Sequence, residues 1–369
     1  MMNPETDNRI ILTLDAGGTN FEFSAIQGNK AVVDPIKLPA EAHNLEKCLG
    51  NIVLGFSKAL EATEGKADAI SFAFPGPADY ALGIIGNLPN FKAFNDHTPL
   101  GPILEDMFNL PVFINNDGNL FAYGEALSGF LPAINQKIGD LGGIKQYQNL
   151  IGLTLGTGFG GGIVLNKTLI AGDSSCGAEV HNSLNKFNPD WNAEESISTR
   201  AIQRMYAEVA NLPFSEVFMP KDITNIALGK MEGDQLAAQE SYKQFGEALG
   251  SSIANILTLI DGIVVLGGGI TAAWNLFSKT MFEEINRKYL HFTGTPNDRL
   301  SFKVFNLEDP RQLETFALGK IENLSIPGTT RTIPFDSMPR TGVGISKIGA
   351  SHAIAMGAYT FALQQLDNQ

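Results

Sequence analysis

Between Gly156 and Gly162 the chain reads Gly156-Thr157-Gly158-Phe159-Gly160-Gly161-Gly162, preceded by the apolar Leu153-Thr154-Leu155 and followed by Ile163-Val164-Leu165. A turn almost bare of side chains lets its N–H groups approach a bulky anion, and the Thr157 hydroxyl adds a further donor. Gly156, Thr157, Gly158 and Gly160 are therefore candidate phosphate ligands. A ligand-free hairpin is the plain alternative, because glycine also serves turns that need positive φ. A second turn of the same kind, Asp15-Ala16-Gly17-Gly18-Thr19-Asn20, follows the strand-like Ile10-Ile11-Leu12-Thr13-Leu14. Gly17, Gly18 and Thr19 can donate to phosphate oxygens, and Asp15 can hold a hydrated Mg²⁺ or simply cap its turn. No Gly-Lys-Ser/Thr follows this turn, and the next element reads as a strand. It is neither a Walker loop nor a dinucleotide fingerprint.

The elements that must carry these turns alternate between strand and helix signals. Phe21-Glu22-Phe23-Ser24-Ala25-Ile26 alternates as a hairpin partner should. Leu45, Leu49, Ile52, Val53, Phe56 and Leu60 fall at helical spacing, and Gly65 ends the helix. Ala69–Phe74 reads as a strand running into Pro75-Gly76-Pro77. A short helix around Ile103–Phe108 precedes the strand Pro111–Ile114, which ends in Asn115-Asn116-Asp117, and residues 118–128 read as helix. The polar stretch 135–148 reads as a surface connection. In the second half a long helix over Leu236–Leu259 leads to the strand Gly262–Leu266 and to Gly267-Gly268-Gly269. Residues 326–339 read as an excursion and Gly349–Leu366 as an amphipathic helix. This alternation is α/β architecture, and each half opens with a strand, a glycine turn and a strand.

Composition narrows the function. A chain of 369 residues suggests two domains, or one large α/β domain. A net charge of −13 with no basic run argues against non-specific nucleic-acid binding. Cys48 and Cys176 are far apart without metal-type spacing, as expected of free thiols in a reducing compartment. The N-terminus is short, polar and acidic, unlike a secretory signal, and no apolar run is long enough to span a bilayer. A cytoplasmic protein without membrane or nucleic-acid partners is expected.

Four segments, in order, resemble the ROK family (repressors, open reading frames and kinases). They are Asp15-Ala16-Gly17-Gly18-Thr19, Asn115-Asn116-Asp117-Gly118-Asn119, Leu155-Gly156-Thr157-Gly158-Phe159-Gly160-Gly161-Gly162 and Leu266-Gly267-Gly268-Gly269. Phe74–Asp79 and Asn87-Leu88-Pro89-Asn90-Phe91 are similar to the family's sugar-side loops. The resemblance implies the actin-like ATPase fold, with two RNase H-like domains clamping a sugar and MgATP in the cleft between them. The smaller domain would comprise residues 1–116 with 350–369, and the larger residues 117–349. The implied reaction is ATP-dependent phosphorylation of a hexose at its 6-hydroxyl. Glucose is the default acceptor; allose, mannose, fructose or an N-acetylhexosamine are alternatives. A sugar-responsive regulator would need a DNA-reading domain before the first phosphate turn, which is not expected of an acidic chain whose strand into that turn begins near residue 10. A non-catalytic sugar sensor on the same fold stays open. A homodimer is common in such families.

The resemblance also assigns roles. Asp117 becomes the catalytic base, because phosphoryl transfer needs a carboxylate within reach of the acceptor hydroxyl. In its local context a helix N-cap is the plain alternative. Asn90 and Asn116 would bind sugar hydroxyls, Asn119 would be structural, and Gly267, Gly268 and Gly269 would leave room for the adenosine. Glu179 matches a sugar-binding glutamate, but the family's following histidine is replaced by Asn182, and His181 lies one residue early. Glu194, or else Glu195, would be a second sugar glutamate. Many members carry a cysteine-rich zinc segment after the histidine. Residues 182–195 contain no cysteine, so no structural zinc is expected, and the loop is expected to be held by packing of Phe187, Pro189 and Trp191.

Overall fold

The computed structural model describes residues 3–17, 19–76, 78–86, 88, 92–214 and 218–368. The chain divides into two compact units. The first comprises residues 1–132, 162–178 and 347–369, and the second residues 133–161 and 179–346.

The first unit is built on β1 (Ile11–Ala16), β2 (Asn20–Gln27), β3 (Lys30–Ala31), β4 (Ile36–Pro39) and β5 (Ala69–Ala73), followed by the short pair β6 (Ala78–Asp79) and β7 (Ile84–Ile85) and by β8 (Val112–Asn115). The main sheet runs β3-β2-β1-β5-β8, with β4 also pairing β2. β1 and β2 form an antiparallel hairpin, whereas β5 and β8 lie parallel beyond β1. Alternation along β2 turns Phe21 and Phe23 inward. Helix α1 (Leu45–Ala62), capped by the Asn44 side chain on the Lys47 N–H, brings Phe56 against them. Phe21, Phe23, Phe56, Phe72, Phe74 and Phe94 form a chain of ring contacts with centroids 5.1–6.2 Å apart. Each ring is at most 1% exposed, and each such burial is worth about 2–3 kcal/mol. Gly55 lacks the side chain that would collide with the Phe23 ring.

Helix α2 (Leu100–Phe108) precedes β8, and α3 (Asp117–Leu127) follows it. The C-terminal helix Ala350–Asp367 lies along α3. A side chain at Gly124 would strike the Ala353 carbonyl, and one at Gly357 would strike that of Leu120, so these two glycines set how closely the helices approach. Helix α4 (Phe130–Asp140) then carries the chain onward. The expected surface connection over 135–148 is therefore half helix. Phe130, Leu131, Ile134 and Ile138 form a buried stripe that the polar composition of the segment concealed.

The second sheet is built on β9 (Leu150–Leu155), β10 (Phe159–Leu165), β11 (Thr168–Leu169, within the 162–178 segment of the first unit) and β12 (Ile263–Gly267), and the second unit also carries β13 (Lys288–Leu290), β14 (Pro296–Asp298), β15 (Lys303–Asn306), β16 (Ile321–Ser325), β17 (Thr332–Asp336) and β18 (Arg340–Ile345). β10 leaves the second unit at Gly162. The sheet order is β11-β10-β9-β12-β18-β15, with β12 and β18 parallel to β9. Apart from the added β15, this repeats the order of the first sheet, so the duplication seen in the sequence is a duplication of topology. Residues 326–339 leave the sheet as expected and supply β17, which pairs β16 as a separate hairpin. Helix α5 (Thr199–Val209), α6 (Pro220–Ala227), α7 (Gln235–Leu259), α8 (Trp274–Ile285) and α9 (Pro310–Leu318) complete the unit. Among the described residues no helix is long and apolar enough to cross a membrane.

Candidate active site

In the first unit Asp15, the penultimate residue of β1, lies directly opposite Glu22 in the hairpin register. Crowding by the surrounding chain holds the Asp15 carboxyl above the usual carboxylate range. The Glu22 charge adds to this, and a hydrogen bond from Ser351 at the start of the C-terminal helix opposes it. Glu22 is itself paired with Lys37 at 3.1 Å, so Asp15 is the carboxylate here that could hold a hydrated divalent cation. The turn itself is tight: a Cβ on Gly17 would lie 2.7 Å from the Asn20 carbonyl oxygen. Thr19 is exposed, and its carbonyl is bonded by the Ala40 N–H. Gly18 and Asn90, both expected at the site, lie outside the described residues.

At the end of β8 three asparagines divide the labour. Asn116 caps α3, its Oδ1 accepting from the Asn119 N–H at 2.6 Å. Asn115 Oδ1 accepts from the Asn119 Nδ2 at 2.9 Å, which gives Asn119 a structural role. Asp117 is thus the first helical residue rather than the cap, and its side chain is exposed. The helix start favours a negative charge there. Asn115 also lines a cavity of about 730 Å³ with Asp79, Tyr80, Asp173 and Gln365; Asp117 is not among its lining residues.

In the second unit the glycine-rich segment does two jobs. Gly160, Gly161 and Gly162 are packing glycines. Their absent side chains would meet Thr154 Oγ1 at 2.5 Å, Val180 at 2.8 Å and the Gly118 carbonyl at 2.5 Å respectively. The turn proper is Gly156–Phe159, and two of its N–H groups are committed within the protein. Gly156 N donates to Gly158 O at 3.1 Å, and Phe159 N donates to Glu194 Oε2 at 2.9 Å. Thr157, with an exposed side chain, and Gly158 remain as candidate phosphate donors. Thr199 grips the other shoulder of the turn, donating both its N–H (2.8 Å) and its hydroxyl (2.9 Å) to the Gly156 carbonyl. Gly268 has φ of +92°, and a Cβ there would drive into the Leu155 carbonyl. Only glycine lets β12 end across β9 in this way. Gly269 faces open space, and the Thr271 hydroxyl closes the turn on Gly268 O at 2.7 Å.

Glu179 and His181 meet, with His181 Nδ1 3.0 Å from Glu179 Oε2, whereas Asn182 is exposed. The loop beyond them is not held by aromatic packing as expected. Phe187 is 46% exposed, and the 37% exposed Trp191 ring lies beneath the Arg204 guanidinium, 4.5 Å away. The holding residue is the buried Asn185. Its Nδ2 donates to Asn192 O and Ser196 Oγ, both at 2.8 Å, and its Oδ1 accepts from the N–H groups of Phe187 (2.9 Å) and Asn188 (3.2 Å). Beside it Lys186 pairs with Glu247 (3.1 Å) and Glu284 (2.9 Å). A short amide ties four backbone and side-chain groups at once, which greasy residues on a polar surface loop cannot do. Nothing in the spacing of Asn185, Lys186 and Thr199 marks them in the sequence; their partners are set by the folded loop.

The first unit thus offers an exposed carboxylate at a helix start and a further carboxylate, Asp15, beside its glycine turn, and the second unit offers a tethered glycine turn. Known proteins resemble this chain over most of its length. The pattern of the ROK family matches residues 11–305. The crystal structure of a glucokinase from Parabacteroides distasonis is 47% identical, covers 98% of this chain and 99% of that one, and superposes with a TM-score of 0.89. An N-acetyl-D-glucosamine kinase from Pasteurella multocida is 27% identical over 70% of this chain and 83% of its own length. A ROK family glucokinase from Streptomyces griseus, solved in complex with glucose and AMPPNP, shares the fold at 18% identity, with a TM-score of 0.60 over 96% of this chain and 99% of that one. The architecture is the actin-like ATPase fold of two domains, and the chain belongs to the ROK family.

Proposed function

We propose that this chain transfers the γ-phosphoryl group of ATP to the 6-hydroxyl of a hexose, with glucose as the default acceptor. That it is an ATP-dependent sugar kinase follows from its family and relatives; the sugar and the hydroxyl are the proposal. The observation that carries it is Asp117, exposed at the start of α3 because Asn116 takes the capping role. A carboxylate so placed can orient the acceptor hydroxyl and take its proton as the bond to phosphorus forms. The Nδ2 of Asn116, whose Oδ1 is used by the cap, is a donor to a neighbouring sugar hydroxyl. Glu179, steered by His181, and Glu194 are proposed acceptors for further hydroxyls.

Thr157 and Gly158 would donate to the nucleotide phosphates, with Gly17 and Thr19 as the counterparts on the other turn, and Gly269 leaves space for the adenosine. Mg²⁺, held by Asp15 through water, would neutralise charge on the phosphates. Among the described residues no group of three or more His, Cys, Asp or Glu could hold a metal ion, and Mg²⁺ in phosphoryl transfer commonly needs only one or two carboxylates besides phosphate and water. We also propose a homodimer acting in the cytoplasm, for which sedimentation gives the oligomeric state.

The test is a coupled ADP-release screen over glucose, allose, mannose, fructose and N-acetylhexosamines. Glucose is expected to give the highest kcat/KM, with ³¹P NMR placing the phosphate on O6. Turnover on none of them, with Asp117→Asn indistinguishable from the parent, would overturn the reading in favour of a sugar-binding sensor.

A further inference from the structure

Glu194 stands in the sequence as a sugar ligand, yet in the structure it is bonded to the phosphate turn. Its Oε2 accepts the Phe159 N–H at 2.9 Å and lies 2.5 Å from where a Cβ on Gly158 would be. Only glycine at 158 admits the carboxylate there. Five residues on, Thr199 holds the opposite shoulder through two hydrogen bonds to Gly156 O. Both ends of the turn are therefore fixed by one short segment, 194–199. That segment is itself tied through Ser196 to Asn185, the hub of the sugar-side loop. The second oxygen of Glu194 is not locked in a close ion pair: Arg200 stands 4.0 Å from Oε1 and makes its short contact, at 2.5 Å, with Glu195 instead.

We infer that Glu194 is a positioning residue for the phosphate turn and couples sugar occupancy to nucleotide binding. The inference rests on the kinase reading above. With no sugar bound, the Glu194 charge lies beside the turn that must receive an anionic phosphate chain, and it opposes that anion. A sugar hydroxyl donating to Oε1 disperses the charge while Oε2 keeps its bond to Phe159 N–H, so the turn stays shaped and accepts the nucleotide more readily. Linkage then requires the nucleotide to tighten sugar binding by the same factor.

Calorimetric titration with AMPPNP, without sugar and with saturating glucose, tests this on the full chain. Wild type is expected to bind AMPPNP about fivefold or more tightly with glucose present. Glu194→Gln keeps an oxygen for the Phe159 N–H but removes the charge. Without sugar it should bind AMPPNP at least threefold more tightly than wild type, with the glucose effect falling toward unity. Glu194→Ala removes the tether as well and should bind AMPPNP at least about fivefold more weakly than Glu194→Gln. Thr199→Val, which removes one bond to Gly156 O and no charge, should weaken AMPPNP while leaving the glucose effect intact. The inference is overturned if the Gln and Ala variants bind AMPPNP alike in the absence of sugar. It is also overturned if Glu194→Gln keeps the full wild-type glucose effect. Wild type that binds AMPPNP but shows no glucose effect overturns the coupling alone, and wild type that binds no AMPPNP overturns the kinase reading and the coupling with it.

Discussion

Replacing Asn185 with alanine should loosen the loop that carries the candidate sugar residues. Asn185 is 7% exposed and takes part in hydrogen bonds with Asn192, Ser196, Phe187 and Asn188. Alanine leaves the Ser196 hydroxyl, itself 1% exposed, without its partner. A buried orphaned group costs about 1–3 kcal/mol. The remaining partners, those of Asn192, Phe187 and Asn188, are nearer the surface and recover water, so together they add about 1–2 kcal/mol. The expected loss is about 2–5 kcal/mol in the second unit. At about 2–4 °C per kcal/mol for a body of this size, its melting transition should fall by about 4–20 °C in scanning calorimetry. The kinetic signature should be a sugar KM raised by about tenfold, the equivalent of 1.4 kcal/mol of lost positioning, with ATP KM moving much less. Asn185→Asp, which keeps the acceptor but loses both donors, should fall between wild type and Asn185→Ala. A melting shift below about 2 °C with unchanged sugar KM would refute the reasoning and show that the loop is held by something else, Lys186 and its two glutamates being the next candidates.

Asp117→Asn should lower kcat by about 10²- to 10⁴-fold while the melting temperature stays within about 1 °C, because the side chain is exposed and the cap belongs to Asn116; a large melting shift would return Asp117 to a structural role. Gly268→Ala forces a side chain into the Leu155 carbonyl at a φ of +92°, so a loss of about 1–3 kcal/mol and a raised ATP KM are expected, checked by denaturation and steady-state kinetics. The two thiols should react very differently. Cys48 is fully buried, and burial, helped by the Glu41 charge, pushes its thiol up to about 12, whereas Cys176 is exposed. A disulfide reagent at pH 8 should therefore titrate one thiol in the native protein and two in guanidinium, and two fast-reacting native thiols would contradict the packing of α1.

Much of this protein is written locally in the chain. Alternation in Phe21–Ile26 and helical spacing from Leu45 to Leu60 depend only on the periodicity with which a strand or a helix presents one face, so both could be placed without knowing their neighbours. The two glycine turns and the Asn115-Asn116-Asp117 strand end were legible for the same reason, because backbone freedom and helix capping are decided within a few residues. What each residue does was not. That Asn116 caps and leaves Asp117 outside the cap depends on which oxygen reaches the Asn119 N–H. That Gly160, Gly161 and Gly162 serve packing depends on Thr154, Val180 and α3 passing against them. Asn185 carried no pattern at all, because a hydrogen-bond hub is defined by partners that only the folded loop assembles. Glu194 shows the division in one side chain. Its type and position mark it in the chain as a candidate site carboxylate, but only tertiary structure places it on Phe159, because a contact across 35 residues is fixed by the paths of two loops rather than by either segment alone.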